Sequence, residues 1–520
     1  MDDSQQSNRE IVRDPLIPLG GPELFFGLVA PSGADIDLVT DAIQRELLKV
    51  GYTSEIIRLS ELIRSFDRFQ TISRTPEDKR IREHMDAGTK IREEFSRGDM
   101  LALLAVSEIR ERRERITKDP DKPAPRHAYI IRSVKHPAEI SALRDIYGRL
   151  FVGISIYAPR HKRVEALAKR IAESNNSTNV RKYIASAENL VTTDELEEGK
   201  KLGQDVTDAF PLADFFVSTA NRQAVNTDVH RFIEILFGYP FHTPSPDEVG
   251  MQLAGSAALR SADLSRQVGA VIWRTPGEVI SIGCNEVPAF GGGFYWPNHG
   301  NDHRDFVIGF DSSTRFKDQI VKQVIDRLYH EGFFNADLLK QPVDKLAEQM
   351  LSLESRGIFA GTQIFDLLEF GRPVHAEMAA ISDAARRGIA IEQSTLFSTT
   401  FPCHMCARHI ISSGIKRVVY IYPYPKSRVK ELYGDSVCVE GEGNDGSKVD
   451  FVPFVGVSPR RYAEFFEALE RKDAKGNAKE WQPAKSEPRV KRLVYTYIEL
   501  EKNILVFVDS LVTRHQWKLV

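Results

Sequence analysis

A chain of 520 residues with 42% hydrophobic and 28% charged side chains has the composition of a globular protein, and it is too long for one ordinary core, so about two to four domains are expected. Its formal net charge of −3 argues against a general nucleic-acid binder, and its four cysteines, Cys284, Cys403, Cys406 and Cys438, are too few for a disulfide framework. No apolar run approaches the length of a bilayer span and the amino terminus is polar and acidic, which predicts a cytoplasmic protein with no membrane partner.

Residues 1–22 end in Pro15, Pro18, Gly20, Gly21 and Pro22 and read as a flexible tail. A buried strand, Leu24 to Ala30, is followed by the turn Pro31-Ser32-Gly33 and a helix from about Asp35 to Val50. Strand, glycine turn and helix are the layout of a phosphate-binding loop, in which backbone N–H groups and a helix N-terminus face an anion, so Ser32 and Gly33 are nucleotide-binding candidates. The lysine and Ser/Thr expected after the second glycine are replaced by Ala34 and Asp35, and Leu28 holds the first-glycine position. An ordinary tight strand-to-helix turn is the competing reading.

Glu55 to Leu59, His127 to Val134 and Leu150 to Ala158 read as further strands, with one long helical region from Pro76 to about Thr117 between the first two. This alternation predicts a parallel α/β sheet. Arg110, Arg112, Arg113 and Arg115 alternate with Glu108, Glu111 and Glu114, the pattern of a solvated, salt-bridged helix. Arg160 and Arg163 follow the fourth strand, where α/β ligands bind, and are candidate phosphate contacts. Residues 174–193 read as a loop or lid, Glu195 to Asp208 as a helix and Asp214 to Ser218 as a last strand. Residues 238–246, with three prolines, form the linker between a first domain (23–237) and a second (247–520).

The second domain opens with a helix from Asp247 to about Leu264 and a hairpin, Gly269 to Trp273 with Val279 to Gly283. A long loop (289–314) and helices at 316–332 and 343–353 lead to His375-Ala376-Glu377 at the start of a helix. The strand Ser394 to Thr400 then precedes Pro402-Cys403-His404-Met405-Cys406, at the start of another helix, and Lys416 to Tyr422 forms a strand. Beyond about 455, a polar insert, Lys472 to Arg489, accompanies two β-like runs, Val494 to Glu499 and Ile504 to Val508.

His375, Cys403 and Cys406 supply one nitrogen and two sulfur ligands, which leaves the fourth tetrahedral position of Zn²⁺ open for water. Glu377, two residues from the histidine, reaches that water as a proton shuttle and is not a ligand. His-x-Glu with Pro-Cys-x-x-Cys is the signature of zinc nucleobase deaminases. A redox Cys-x-x-Cys explains neither His375 nor Glu377.

Beyond this motif, Arg260-Ser261-Ala262-Asp263, Gln267-Val268-Gly269-Ala270, Gly283-Cys284-Asn285-Glu286-Val287-Pro288 and Tyr422-Pro423-Tyr424-Pro425-Lys426-Ser427 make the carboxy-terminal half resemble the deoxycytidylate deaminase family. The two-domain arrangement is similar to that of bacterial anti-phage dCTP deaminases, in which a P-loop kinase-like domain precedes the deaminase. Arg144-Asp145-Ile146-Tyr147-Gly148 and Ala158-Pro159-Arg160 likewise resemble nucleoside monophosphate kinases. The resemblance implies an α/β protein with an amino-terminal P-loop NTPase/kinase-like parallel-sheet domain and a carboxy-terminal three-layer α/β/α cytidine deaminase-like domain. It implies deamination of dCTP, dCMP or both, depletion of the dCTP pool in phage defence, and a homo-oligomer, since relatives form hexamers. By carry-over, Asn285 contacts the substrate sugar; Cys284, His299 and His303 are weighed as a second metal site against a loop role. The missing P-loop lysine points to a regulatory first domain holding a nucleotide or other ligand, with Mg²⁺ at Asp35 if that carboxylate faces phosphate. The alternative function is a nucleic-acid cytidine or adenosine deaminase, for which Phe290, Phe294, Tyr295 and Trp296 would be stacking groups; an active kinase is more distant.

Overall fold

A computed structural model describes residues 21–518, apart from 198, 275–276, 298–299, 353–356, 360–361, 424–426, 441–445 and 490–495. The expected tail, His299 and Tyr424-Pro425-Lys426 therefore lie largely or wholly outside the described residues. The chain divides into two compact units, one within Met1–Ser245 and Val455–Val520, the other Pro246–Phe454. Among the described residues no helix is long and apolar enough to cross a membrane.

In the first unit, β1 (Leu24–Val29), β2 (Thr53–Arg58), β3 (His127–Val134), β4 (Phe151–Tyr157) and β5 (Phe215–Ser218) form a parallel sheet in the order β5-β4-β1-β3-β2, extended at β5 by an antiparallel pair with Gly456–Val457. β1 is buried along its whole length, as the apolar run Leu24-Phe25-Phe26 dictates for a central parallel strand. The helix after it, Ile36–Lys49, is capped by Asp35, whose carboxylate accepts from the Leu38 N–H at 3.0 Å. That carboxylate closes a helix end.

The long helical region at 76–117 is helical as expected and is made of two helices, Glu77–Glu94 and Met100–Thr117, separated where Ser96 takes a positive φ of 52° and Gly98 lies so close to His136 that a Cβ would strike the ring. Several expectations need correction here. Residues 174–193 are largely helical (Val180–Tyr183 and Ile184–Glu195), because Ala187, Leu190 and Val191 bury one face against Leu167 and Ile171. Beyond Glu195, by contrast, the described residues up to Asp208 are helical only from Val206, where the short helix Val206–Ala209 begins. The described parts of both carboxy-terminal β-like runs belong to one helix, Thr496–Arg514.

The carboxy-terminal bound of the second domain is also corrected, since Val455–Val520 pack with the first unit. The reason is a buried ion-pair cluster. Arg113 is fully buried and donates to Glu23 at 2.9 Å and to Glu501 at 2.5 and 2.9 Å, while the Tyr497 hydroxyl donates to Glu23 at 2.9 Å. The arginine-rich helix is salt-bridged as its sequence suggests, but its Arg113 is a core residue and not a solvated one. Removing Arg113 would leave Glu23 and Glu501 buried without the cation between them. Arg113→Met should therefore destabilise the first unit by about 3–5 kcal/mol, read as a lowered midpoint in denaturant unfolding.

In the second unit, β6 (Gly269–Arg274), β7 (Glu278–Cys284), β8 (Thr395–Thr400), β9 (Arg417–Tyr422), β10 (Val437–Val439) and β11 (Val449–Pro453) form a sheet in the order β10-β11-β9-β8-β6-β7. β8 to β11 run parallel; β6 is antiparallel to both its neighbours. A Cβ on Gly269 would strike Ala254 and Ala258 of the helix Pro246–Ala258, and one on Gly283 would strike Ala376 and Ala380 of the helix Ala376–Arg386. Gly283 pairs with Ala270, one residue along from Gly269, so the two glycines face opposite sides of the sheet. The two helices consequently cover opposite faces, and glycine lets each backbone approach closely.

Candidate metal centre and active site

His375 is the N-cap of the helix Ala376–Arg386, and Cys403 is the N-cap of the helix His404–Ser412. β8 ends at Thr400, and three residues on, Cys403 and Cys406 stand one turn apart at the start of that helix. The His375 Nδ1 lies 3.3 Å from each sulfur, and the three donor atoms all lie within 4.8 Å of one another. Tetrahedral zinc with ordinary Zn–N and Zn–S bonds needs an N···S separation of about 3.6 Å, so this donor set fits the metal. Among the described residues this is the group arranged to hold an ion.

The three donors share their protons. The Cys406 S–H and the His375 ring pull the Cys403 thiol below the ordinary range, the Cys403 sulfur raises His375 to about 9, and the hydrogen bond to Cys403 together with burial pushes the Cys406 thiol up. Glu377, one residue into its helix, is buried with its carboxylate 3.4 Å from the Cys406 sulfur and 3.5 Å from the Ser398 hydroxyl. Burial pushes its carboxyl up, and the neighbouring Cys403 adds to that.

His375, Glu377 and Cys403 line a cavity of about 600 Å³ whose walls include Asn285, Arg266 and Lys317. Asn285 is buried, and its amide is engaged at both ends, accepting from the Val268 N–H at 2.7 Å and donating to the Arg266 carbonyl at 2.8 Å. It thereby fastens the loop that forms one wall. Lys317 comes from the helix Ser312–His330 and donates to the Phe365 carbonyl at 3.0 Å. Arg266 and Lys317 carry no sequence signal, because neither belongs to a motif with fixed spacing. Three wall carboxylates are held by the protein itself: Asp263 by the 265–266 turn, Asp305 by Arg372 at 2.8 Å, and Asp311 as the N-cap of the Ser312 helix.

Of the residues weighed as a second metal site, His299 lies outside the described residues. Cys284 accepts from Arg260 at 3.3 Å, and burial raises its thiol. In the first unit, Ser32 and Gly33 line a different cavity, whereas Arg160 and Arg163 are absent from its lining. Arg163 donates to Glu195 at 2.5 Å and to the Ala158 carbonyl at 3.1 Å; Arg160 donates to Thr192 at 2.8 Å. Both guanidinium groups tie down the end of the helix Ile184–Glu195.

Residues 244–422 match the profile of the cytidine and deoxycytidylate deaminase zinc-binding region. Over 55 residues the chain is 47% identical to the deoxycytidylate deaminase of Enterobacteria phage T2, a stretch that covers 11% of this chain and 29% of that one. Over 86 residues it is 41% identical to a probable deoxycytidylate deaminase of Drosophila melanogaster, covering 15% of this chain and 41% of the relative. The chain thus spans less than half the length of either relative. Among solved structures, the dCMP deaminase of cyanophage S-TIM5 in complex with dCMP and dUMP aligns with 41% of this chain and 100% of its own, at 17% identity and a TM-score of 0.22. On the sequence match and the geometry of His375, Cys403 and Cys406, residues 244–422 are a cytidine and deoxycytidylate deaminase zinc-binding domain, related to the phage deoxycytidylate deaminases, with its ligand triad intact.

Proposed function

We propose that this protein hydrolyses free deoxycytidine nucleotides, dCMP, dCTP or both, to the deoxyuridine nucleotide and ammonia. The observation that carries the reading is the buried Glu377 carboxylate beside the His375, Cys403 and Cys406 donors, opening on a cavity large enough for a small-molecule ligand. Zinc held by His375, Cys403 and Cys406 would supply a water that ionises near neutrality. Glu377 would pass one proton of the attacking water to N3 as the water oxygen bonds carbon 4 of the cytosine ring, and then the proton of the new C4 hydroxyl to the amino group as the carbon–nitrogen bond breaks and ammonia leaves. Its buried position keeps bulk water from competing for those protons, and its raised pKa suits a group that must both accept and donate. Arg266 and Lys317 are the cations of the wall and would meet the nucleotide phosphates, while Asn285 holds the wall that faces the sugar.

Turnover of this kind drains the deoxycytidine nucleotide pool, which is the route by which the protein would act against phage, with the first unit controlling the deaminase. Free nucleotide is favoured over nucleic acid because a net charge of −3 is not that of a general polyanion binder. Purified protein incubated with cytidine nucleotides at every phosphorylation level, and separately with single-stranded DNA and RNA, should convert free deoxycytidine nucleotide. Efficient editing of the polymers with dCMP and dCTP untouched would overturn the reading.

A further inference from the structure

The first unit contains a second cavity, of about 350 Å³, near the carboxyl ends of β1 and β3. Ligands of parallel α/β sheets bind at such ends. Six cationic side chains line it, Arg58, Arg80, Arg92, Arg132, Lys135 and Arg170. Five are ion-paired, Arg58 with Glu61, Arg80 with Glu77, Arg92 with Glu139, Arg132 with Asp37 and Lys135 with Asp194, and the last two carboxylates belong to the wall itself. Leu59, Ile63, Met85 and Leu101 supply an apolar part of the wall.

Two observations within this cavity point to an anion. The first concerns Asp194, which is fully buried at the end of the helix Ile184–Glu195. Its carboxylate accepts from the Ser32 backbone N–H at 2.6 Å and pairs with the Lys135 ammonium at 2.8 Å. A backbone N–H in the turn between a strand and the N-terminus of the next helix, joined by a lysine, is a seat for phosphate. Here the protein seats its own carboxylate. The second observation concerns Arg92, which is fully buried. Its Nε donates to the Leu202 carbonyl at 2.8 Å and its Nη1 to Glu139 at 3.2 Å, but its Nη2 has no partner. A buried guanidinium donor left unpaired beside a cavity calls for an acceptor that enters it.

We propose that this cavity binds a nucleoside phosphate and that Asp194 is the internal stand-in for its phosphate. The phosphate takes the Ser32 N–H and Lys135 and supplies the acceptor that Arg92 lacks; the base lies on the apolar wall. Displacing Asp194 loosens the end of the helix Ile184–Glu195 by removing one of its ties, leaving the bonds of Glu195 and Thr192 to Arg163 and Arg160. Binding at this site does not depend on the deaminase reading, but its regulatory consequence rests on that reading.

Calorimetric titration of the full-length Glu377→Ala protein tests the proposal without turnover. The probes are inorganic phosphate, pyrophosphate and each nucleoside triphosphate. At least one nucleoside triphosphate should bind more tightly than pyrophosphate. That binding should weaken by roughly tenfold or more in Arg58→Glu/Arg170→Glu, whose two side chains are exposed to solvent, and tighten by roughly tenfold in Asp194→Asn, which removes the competing charge. Amide exchange across residues 184–195 should quicken on binding. If Asp194→Asn fails to fold, Lys135→Met serves in its place and should weaken binding. A nucleotide affinity indifferent to these substitutions, or pyrophosphate binding as tightly as every nucleotide, would overturn the assignment. Because these titrations need no chemistry, they stand even if deoxycytidine nucleotides prove not to be the substrate.

Discussion

Glu377→Ala should leave the zinc content and the fold unchanged while deamination falls by about 10²–10⁴-fold, the usual contribution of a positioned acid–base group. The geometry separates the two roles. The donor set that fits zinc is His375, Cys403 and Cys406, and the Glu377 carboxylate sits beside it without belonging to it. Elemental analysis and initial rates on the same preparation check both halves. A variant that kept most of its activity would remove Glu377 from proton transfer, and one that lost its zinc would make it a ligand.

Cys403→Ala should do the opposite, losing metal and activity together. Its sulfur is one of three protein donors, and with only His375 and Cys406 left the site no longer offers the three-ligand arrangement of catalytic zinc. The fall in activity should exceed the about 10–100-fold typical of changes to groups that merely orient ligands. An undiminished zinc content in this variant would place the metal elsewhere.

The chemistry of this centre was legible in the sequence because it is local. His375 and Glu377 lie within one helical turn, Cys403 and Cys406 within another, and β8 between them is a plain apolar and Thr/Ser run. Strand and helix signals of the same local kind placed β1, β3, β4 and the hairpin β6–β7 to within a residue or two. What the sequence hid depends on partners far along the chain. Arg113 looked like one more charge on a solvated helix until Glu23 and Glu501, 90 and 388 positions away, enclosed it. That cluster moves residues 455–520 into the first unit, so a deaminase fragment cut only at the 238–246 linker would carry a tail stripped of its partners; the compact second unit is Pro246–Phe454. Lys317 reaches the zinc cavity from a helix that no motif marks, and Asp194 comes from a segment whose Asn, Ser and Thr content masked an apolar face at helical spacing. Arg160 and Arg163 rest on a single cue. A strand-end position alone suggested phosphate contacts, and the side chains bind Thr192 and Glu195 instead.

The most direct test of hydrolytic deamination at this centre is mass spectrometry of the products formed from dCMP and dCTP in ¹⁸O-labelled water, with ammonia measured in parallel. The account predicts a deoxyuridine nucleotide carrying one solvent oxygen in its base and one ammonia for each product molecule, formed by the unmodified protein and not by Glu377→Ala. Absence of deoxyuridine nucleotide from both substrates in a zinc-loaded preparation, or product without solvent oxygen, would contradict it.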